Sequence, residues 1–278
     1  MNAIWESKGP RRALITGASG GIGEAFARIL ADEGWELALA ARNDEELHRV
    51  AGVLRAKHQI EAHPVAVDLS MRDAGERLAA ALDKRGFSPD VVINNAGFGL
   101  AGEAAALPLD EQLSMLDVNA RAATDLSLRF LPAMRARGRG GVLNVASLAG
   151  FMPGPGMAVY FATKAYLLSF TESLAEEMAG TGLTISAFCP GMVRTGFQDR
   201  SGMARTWMAR FMPAARPDVS AWAGWQGFKE GRTVIVPGIL NTLLALNGRY
   251  SPRFITRRVT KRLLMPRGGG GKGKGSKS

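Results

Sequence analysis

Short apolar runs alternate with longer amphipathic stretches along the first 240 residues of the chain. Residues 11–16, 36–41, 64–69, 91–97, 141–146, 183–189 and 233–237 read as strands, several of them apolar at nearly every position. A strand with no polar face is buried on both sides, as in parallel sheets covered by helices. The stretches between them are long enough for crossover helices. The pattern therefore predicts an α/β fold, a doubly wound parallel sheet of about seven strands with helices on both faces. It also predicts one long helix over residues 110–137 and another around Tyr160, where residues 159–168 hold no Pro or Gly.

The first strand runs into Gly17-Ala18-Ser19-Gly20-Gly21-Ile22-Gly23, and a helical pattern follows that ends near Gly34. Strand, glycine loop and helix in that order bring backbone amides and the positive end of a helix dipole to a diphosphate. The spacing is Gly17-x-x-x-Gly21-x-Gly23 rather than Gly-x-Gly-x-x-Gly, and no Gly-Lys-Ser/Thr follows, which argues against a nucleoside-triphosphate loop. The end of the second strand is where such a fold reads the adenosine ribose. An acid there would accept from the 2′-hydroxyl, but Ala41 and Arg42 offer one cation and no acid, which suits a 2′-phosphate. Asn43, then Asp44, Glu45 and Glu46, read as an N-cap and acidic first turn.

Tyr160 and Lys164 stand four apart on a predicted helix, so they share a face. Moving a phenol from about 10 to about 7 takes roughly 4 kcal/mol. Two unit charges about 4 Å apart at an effective dielectric of about 20 supply that much. The expectation is a Tyr160 made more acidic by Lys164. Ser147, at the end of an apolar run, offers a hydroxyl for a substrate oxygen.

Taken together, Thr16-Gly17-x-x-x-Gly21-x-Gly23, Asp68, Asn94-Asn95-Ala96-Gly97, Asn119, Ser147, Tyr160-x-x-x-Lys164 and Pro190-Gly191 resemble the short-chain dehydrogenase/reductase family over about residues 11–240. The resemblance implies a Rossmann fold, a nicotinamide cofactor and hydride transfer between it and a carbonyl or secondary alcohol. It implies that Tyr160 is the acid/base, Lys164 its modulator and a ligand of the nicotinamide ribose, Ser147 the holder of the substrate oxygen, and Asn119 the anchor of a water that joins Lys164 to solvent. For the cofactor it implies contacts from Thr16, Gly17, Ser19, Gly21, Ile22, Gly23, Arg42, Asp68, Asn94, Ala96, Gly97, Pro190, Gly191, Val193 and Thr195, besides Tyr160 and Lys164. With Arg42, NADP(H) is expected over NAD(H). A homodimer or homotetramer through the Tyr160 helix and the long helix before it is also implied. The competing reading, a catalytically silent dinucleotide-binding sensor or scaffold, is weakened by the intact catalytic set.

Domain organisation follows the same division: residues 1–248 as one catalytic domain, with 196–230 as a lid-like substrate segment. Phe197, Met203, Trp207, Met208, Phe211, Met212, Trp222, Trp225 and Phe228 crowd that segment, and they predict either a cover over the ligand crevice or helices packed on the sheet. The former suggests an apolar ketone or ketoacyl substrate. One cysteine, Cys189, excludes an intrachain disulfide, and three histidines far from Tyr160 argue against a metal site. No signal-like leader or span-length apolar run is seen, so a cytoplasmic protein is expected.

The net charge of +10 is concentrated at one end. Every one of the 25 acidic residues precedes residue 231, and 11 of the 35 Lys and Arg follow it. Residues 249–265 predict a basic amphipathic helix in which Ile255, Val259 and Leu263 recur among Arg253, Arg257, Arg258, Lys261 and Arg262. It is expected either to pack on the domain or to rest on an anionic membrane surface. A Gly- and Lys-rich tail over 266–278 is expected to be disordered, and without interleaved aromatics no nucleic-acid binding is expected.

Overall fold

The computed structural model describes residues 10–203, 206 and 212–264. Seven parallel strands form one sheet in the order β3-β2-β1-β4-β5-β6-β7. They are β1 (Arg12–Thr16), β2 (Glu36–Ala41), β3 (Ala62–Ala66), β4 (Val91–Asn94), β5 (Gly140–Val145), β6 (Leu183–Phe188) and β7 (Val234–Ile235). Helices α1 (Gly21–Asp32), α2 (Asp44–His58), α3 (Ala74–Asp83), α4 (Leu109–Leu116), α5 (Ala123–Arg137) and α6 (Ala158–Glu177) provide the crossovers. After β6 come the short α7 (Phe197–Arg200) and α8 (Pro217–Lys229), and after β7 come α9 (Ile239–Tyr250) and α10 (Arg253–Leu264).

Two cores sit on the two faces of the sheet because alternate strand residues point to opposite sides. Ile15, Leu37 and Leu39 join Phe26, Leu30 and Trp35 on one face. Leu14, Ala38 and Val92 join Leu78, Leu126 and Met134 on the other. The doubly wound sheet read from the sequence is therefore present, seven strands included.

Several strands are shorter than the sequence reading, β4 and β7 most of all, and two further differences bear on the site. The third strand lies at Ala62–Ala66 rather than 64–69 and includes Pro64, which is paired in register with Leu39. A proline fits there because β3 is the edge strand, where a missing N–H interrupts no ladder. Val67 to Leu69 are thereby left beyond the strand, at the ligand side of the sheet. The long helix expected over 110–137 is interrupted by a π-helical turn, Asp117–Ala122, between α4 and α5. That turn carries Asn119, and π-bulges of this kind often sit at functional sites.

The side chains of the aromatic segment after β6 divide between the sheet and the cleft, with Trp222 exposed. In α8, Trp225 and Phe228 are fully buried, with the Trp225 ring edge-on to Trp35 at 5.5 Å and its Nε1 donating to Glu33 at 3.0 Å. They cover the sheet. Phe197, Met203 and Met212 line the ligand cleft instead, while Trp207, Met208 and Phe211 lie outside the described residues. The 266–278 tail is likewise outside them.

Candidate active site

The strand order reverses between β1 and β4, so the loops leaving their carboxyl ends part and open a crevice. A cleft of about 980 Å³ fills that position. From the β1 to β3 ends it is lined by Gly17, Ser19, Gly21, Ile22, Arg42 and Asp68. Further along, Ala96, Gly97, Ser147, Tyr160 and Lys164 border it, followed by Pro190, Gly191, Val193 and Thr195. The structure thus gathers into one cavity residues separated by nearly 180 positions in sequence.

The glycine loop is shaped for close approach. Gly17 has φ +66°, and a Cβ there would stand 2.8 Å from the Asn95 side chain. A Cβ on Gly23 would meet the Gly17 carbonyl at 2.3 Å, so Gly23 serves the packing of α1 on the strand rather than the cleft wall. No side chain caps α1, and its first-turn amides are left for an acceptor in the cleft. Thr16 has a bracing role. Its hydroxyl accepts from the Asn95 and Ala96 amides, both at 3.0 Å, and the Asn95 side chain donates to the Thr16 carbonyl at 2.9 Å.

Asn94 is the clearest displacement from expectation. It does not line the cleft; its side chain turns inward and donates to the Ala123 carbonyl, Ser127 Oγ and Asn144 Oδ1. The reason is strand alternation at the end of β4, which aims position 94 at α5. Beyond β3, Asp68 accepts from the Ser70 amide at 3.0 Å and the Ser70 hydroxyl at 2.8 Å. Partial burial raises the Asp68 pKa, but these bonds and the nearby Arg42 charge outweigh it and hold the carboxyl below its usual range. Asn43 caps α2 as expected, accepting from the Glu46 amide at 3.1 Å.

Asn119 is buried behind the cleft wall, in the π turn. Its amide grips one residue by both ends, accepting from the Phe98 N–H at 3.0 Å and donating to the Phe98 carbonyl at 2.8 Å. It also donates to Thr163 Oγ1 at 3.2 Å, which ties the β4 loop to the helix of Tyr160. Gly97 passes between Asn119 and Lys164, and a Cβ there would lie 3.1 Å from Asn119 Oδ1 and 3.5 Å from Lys164 Nζ.

Tyr160 and Lys164 share one face of α6. Lys164 Nζ donates to the Val145 carbonyl at 2.8 Å and lies 5.8 Å from the centre of the Tyr160 ring. Burial pushes the Tyr160 phenol up to about 12, partly offset by a hydrogen bond with the Ser147 side chain. Burial also draws the Lys164 ammonium down to about 8. The sequence argument expected Lys164 to make Tyr160 more acidic. In the structure desolvation dominates for both groups and drives each toward its neutral form. The Ser147 hydroxyl also accepts from the Ala149 amide at 3.1 Å, which fixes it at the start of a 3₁₀ turn, Leu148–Phe151.

Sequence reasoning missed the C-terminal wall. Leu244 and Asn247 of α9 line the cleft, and so do Ile255, Thr256, Val259 and Thr260 of α10. The basic helix expected over 249–265 is α10, Arg253–Leu264, with residues 249–250 closing α9, and it packs on the domain: Thr260 Oγ1 donates to the Pro153 carbonyl at 2.9 Å, and Leu264 is fully buried with Met157 and Phe161. The apolar stripe Ile255, Val259 and Leu263, considered as a membrane face, is turned to the cleft. No sequence signal distinguishes those two uses of one apolar stripe. Leu244 was findable, because residues 239–246 repeat apolar positions at helical spacing just after Pro237-Gly238.

The family profile described as short chain dehydrogenase matches residues 11–205. An uncharacterised oxidoreductase of Staphylococcus epidermidis is 35% identical over 183 residues, covering 66% of this chain and 78% of the relative. Among solved structures, a short-chain dehydrogenase from Sphingobium yanoikuyae in complex with NADPH aligns with TM-score 0.75 and 28% identity over 86% of this chain and 92% of its own. A 7β-hydroxysteroid dehydrogenase aligns with TM-score 0.81 and 25% identity over 94% and 99%. A 3-oxoacyl-[acyl-carrier protein] reductase from Brucella melitensis, which holds NAD, aligns with TM-score 0.71 and 26% identity over 83% and 90%. The profile match covers well over half the chain, and the Ser147, Tyr160 and Lys164 cleft lies where that fold keeps its ligands: the protein belongs to the short-chain dehydrogenase family of oxidoreductases.

Proposed function

We propose that the protein is an NADP(H)-dependent carbonyl reductase and alcohol dehydrogenase whose substrate is a bulky apolar ketone or ketoacyl compound. The observation that carries the reading is the meeting of Ser147, Tyr160 and Lys164 in a cleft that also receives the uncapped start of α1. The chain's own residues suit a nicotinamide dinucleotide. A larger side chain at Gly17 would collide with Asn95, and the α1 amides face the cleft without a capping side chain, as a diphosphate requires. Arg42 beside the adenosine-side residue Asp68 supplies a cation for a 2′-phosphate and supports NADP(H) over NAD(H). When bound, the cofactor supplies or accepts the hydride.

The protein's part is to position an oxygen and move one proton. Ser147 Oγ donates a hydrogen bond to the substrate carbonyl oxygen. Tyr160 gives its phenolic proton to that oxygen during reduction and takes it back during oxidation. With its pKa near 12 the phenol is fully protonated at neutral pH, ready for the reductive direction. Lys164, still mostly charged at pH 7 with a pKa near 8, holds positive charge where phenolate would develop. Phe197, tilted against Tyr160 at 5.4 Å between ring centres, excludes water from that proton path. Met152, Met203, Met212, Leu244, Val259 and Leu263 make the substrate side apolar and adaptable.

The reading includes a cytoplasmic homodimer or homotetramer. Leu113, Leu116, Leu128 and Tyr166 are exposed on α4, α5 and α6, the helices expected to meet a second copy. A silent sensor is disfavoured, because such a role has no use for an intact Ser147, Tyr160 and Lys164 set. The test is a panel of ketones graded by size, followed by nicotinamide absorbance with each cofactor. Oxidation of NADPH by bulky ketones, with little by acetone, is expected; turnover confined to small polar carbonyls would overturn the substrate class.

A further inference from the structure

Helix α9 has one face held and one face bare. Asn241 donates to the Pro237 carbonyl at 2.6 Å, Ala245 is buried, and Gly248 lets the helix close on Met152. Arg249 reaches Glu172 of α6 at 3.4 Å. On a 3.6-residue wheel the opposite face carries Ile239, Leu243, Leu246 and Tyr250 in line. These are 83%, 59%, 48% and 76% exposed. The stripe runs for roughly 16 Å at 1.5 Å per residue. Singly exposed leucines are ordinary, but a continuous apolar stripe marks a surface that something covers.

Charge selects the occupant. From residue 231 onward the chain has 11 Lys and Arg and no acid. On α10, Arg253, Arg257, Arg258, Lys261 and Arg262 are exposed and form no ion pair among the described residues. A second copy seated on the stripe about a twofold axis would bring the same cations toward one another, with no acid on α9 or α10 to meet them. An anionic bilayer answers both features, taking the apolar stripe at its acyl boundary and the cations at its headgroups. Tyr250 and Phe254, both exposed where α9 passes into α10, are aromatic residues suited to that boundary.

We infer that α9 lies flat on an anionic lipid surface, held by its outward stripe and by the cations of α10. Among the described residues no helix is long and apolar enough to cross a membrane, so the contact is peripheral. The inner flanks of the same two helices, Leu244 on α9 and Ile255, Val259 and Leu263 on α10, line the cleft. Docking therefore sets the substrate side of the cleft beside the bilayer. That last consequence rests on the proposed chemistry, whereas the docking does not.

The full-length protein is sedimented with vesicles of phosphatidylcholine alone and with phosphatidylglycerol added. Binding to the anionic vesicles only, weakened as salt rises, is expected. Leu243→Asp with Leu246→Asp weakens it by about tenfold or more, with NADPH binding unchanged as evidence of an intact fold. Arg257→Glu with Arg258→Glu weakens it comparably while leaving the stripe whole. The inference is overturned by no sedimentation with anionic vesicles at low salt, the result an acidic protein partner would give. It is also overturned if the leucine pair binds vesicles as the parent does, or if that pair dissociates a dimer, which would assign the stripe to a second copy. Because vesicle binding is read without turnover, its failure is separable from failure of the carbonyl reductase reading.

Discussion

The β1 to β3 half of the cleft and the wall made by α9 and α10 are built on different principles. The first is mostly backbone: glycine φ values, helix amides and strand ends fix where a ligand lies, with Arg42 and Asp68 as its charged additions. The second is made of side chains on two helices that no strand positions, and its lining sets Leu244, Ile255, Val259 and Leu263 among the polar Asn247, Thr256 and Thr260. A backbone site admits little substitution and serves one cofactor chemistry. A side-chain wall can change residue by residue, so under the proposed reading it is where substrate choice would reside.

The sharpest way to break this division is at the chemistry both halves serve. Tyr160→Phe removes the proton and nothing that shapes either wall, so turnover should fall by about 10²-fold or more while NADPH still binds; stopped-flow turnover beside a fluorescence titration checks both. Retained turnover would remove Tyr160 from the mechanism. A smaller effect is expected on the cofactor side alone. Arg42→Asp exchanges a charge-assisted contact for repulsion, so affinity for NADPH should drop by roughly 10- to 100-fold and that for NADH should rise, reversing the order. If the parent binds both equally, Arg42 is a bystander. The smallest effect should come from the helical wall. Val259→Trp fills space on the substrate side, so kcat/KM for the largest ketones should fall by about tenfold while small ketones and NADPH affinity are unaffected. A uniform loss across substrate sizes would mean that α10 supports the fold rather than selecting substrates.

The same division explains how far the sequence could be read. The glycine loop, the parallel strands and the Tyr160 and Lys164 pair were legible because each is a local pattern whose geometry follows from spacing. Asn94 was not. Its place in a strand is plain, but whether the last residue of β4 faces the cleft or α5 depends on one step of alternation. The sign of the Tyr160 shift was missed because spacing reveals a neighbouring charge and not how much water both groups lose. The stripe of Ile255, Val259 and Leu263 was legible as a stripe only, since an apolar face has the same periodicity against a lipid, a cleft or a core.

The burial of Lys164 sets the needs of folding against those of the proposed reaction. Its pKa is 10.5 in the reference state and about 8 in the folded chain, so below pH 8 the fold carries a desolvated ammonium at a cost of about 3 kcal/mol. Between pH 8 and 10.5 the unfolded chain keeps a proton that the folded chain has released, and this group's contribution to stability rises with pH across that window. The same rise removes the positive charge held beside Tyr160. Alkaline solutions thus favour the fold at this position while removing the charge that the proposed proton transfer relies on, and selection for heat resistance alone would favour an uncharged residue at position 164 and, under that proposal, a well-folded protein that no longer turns over.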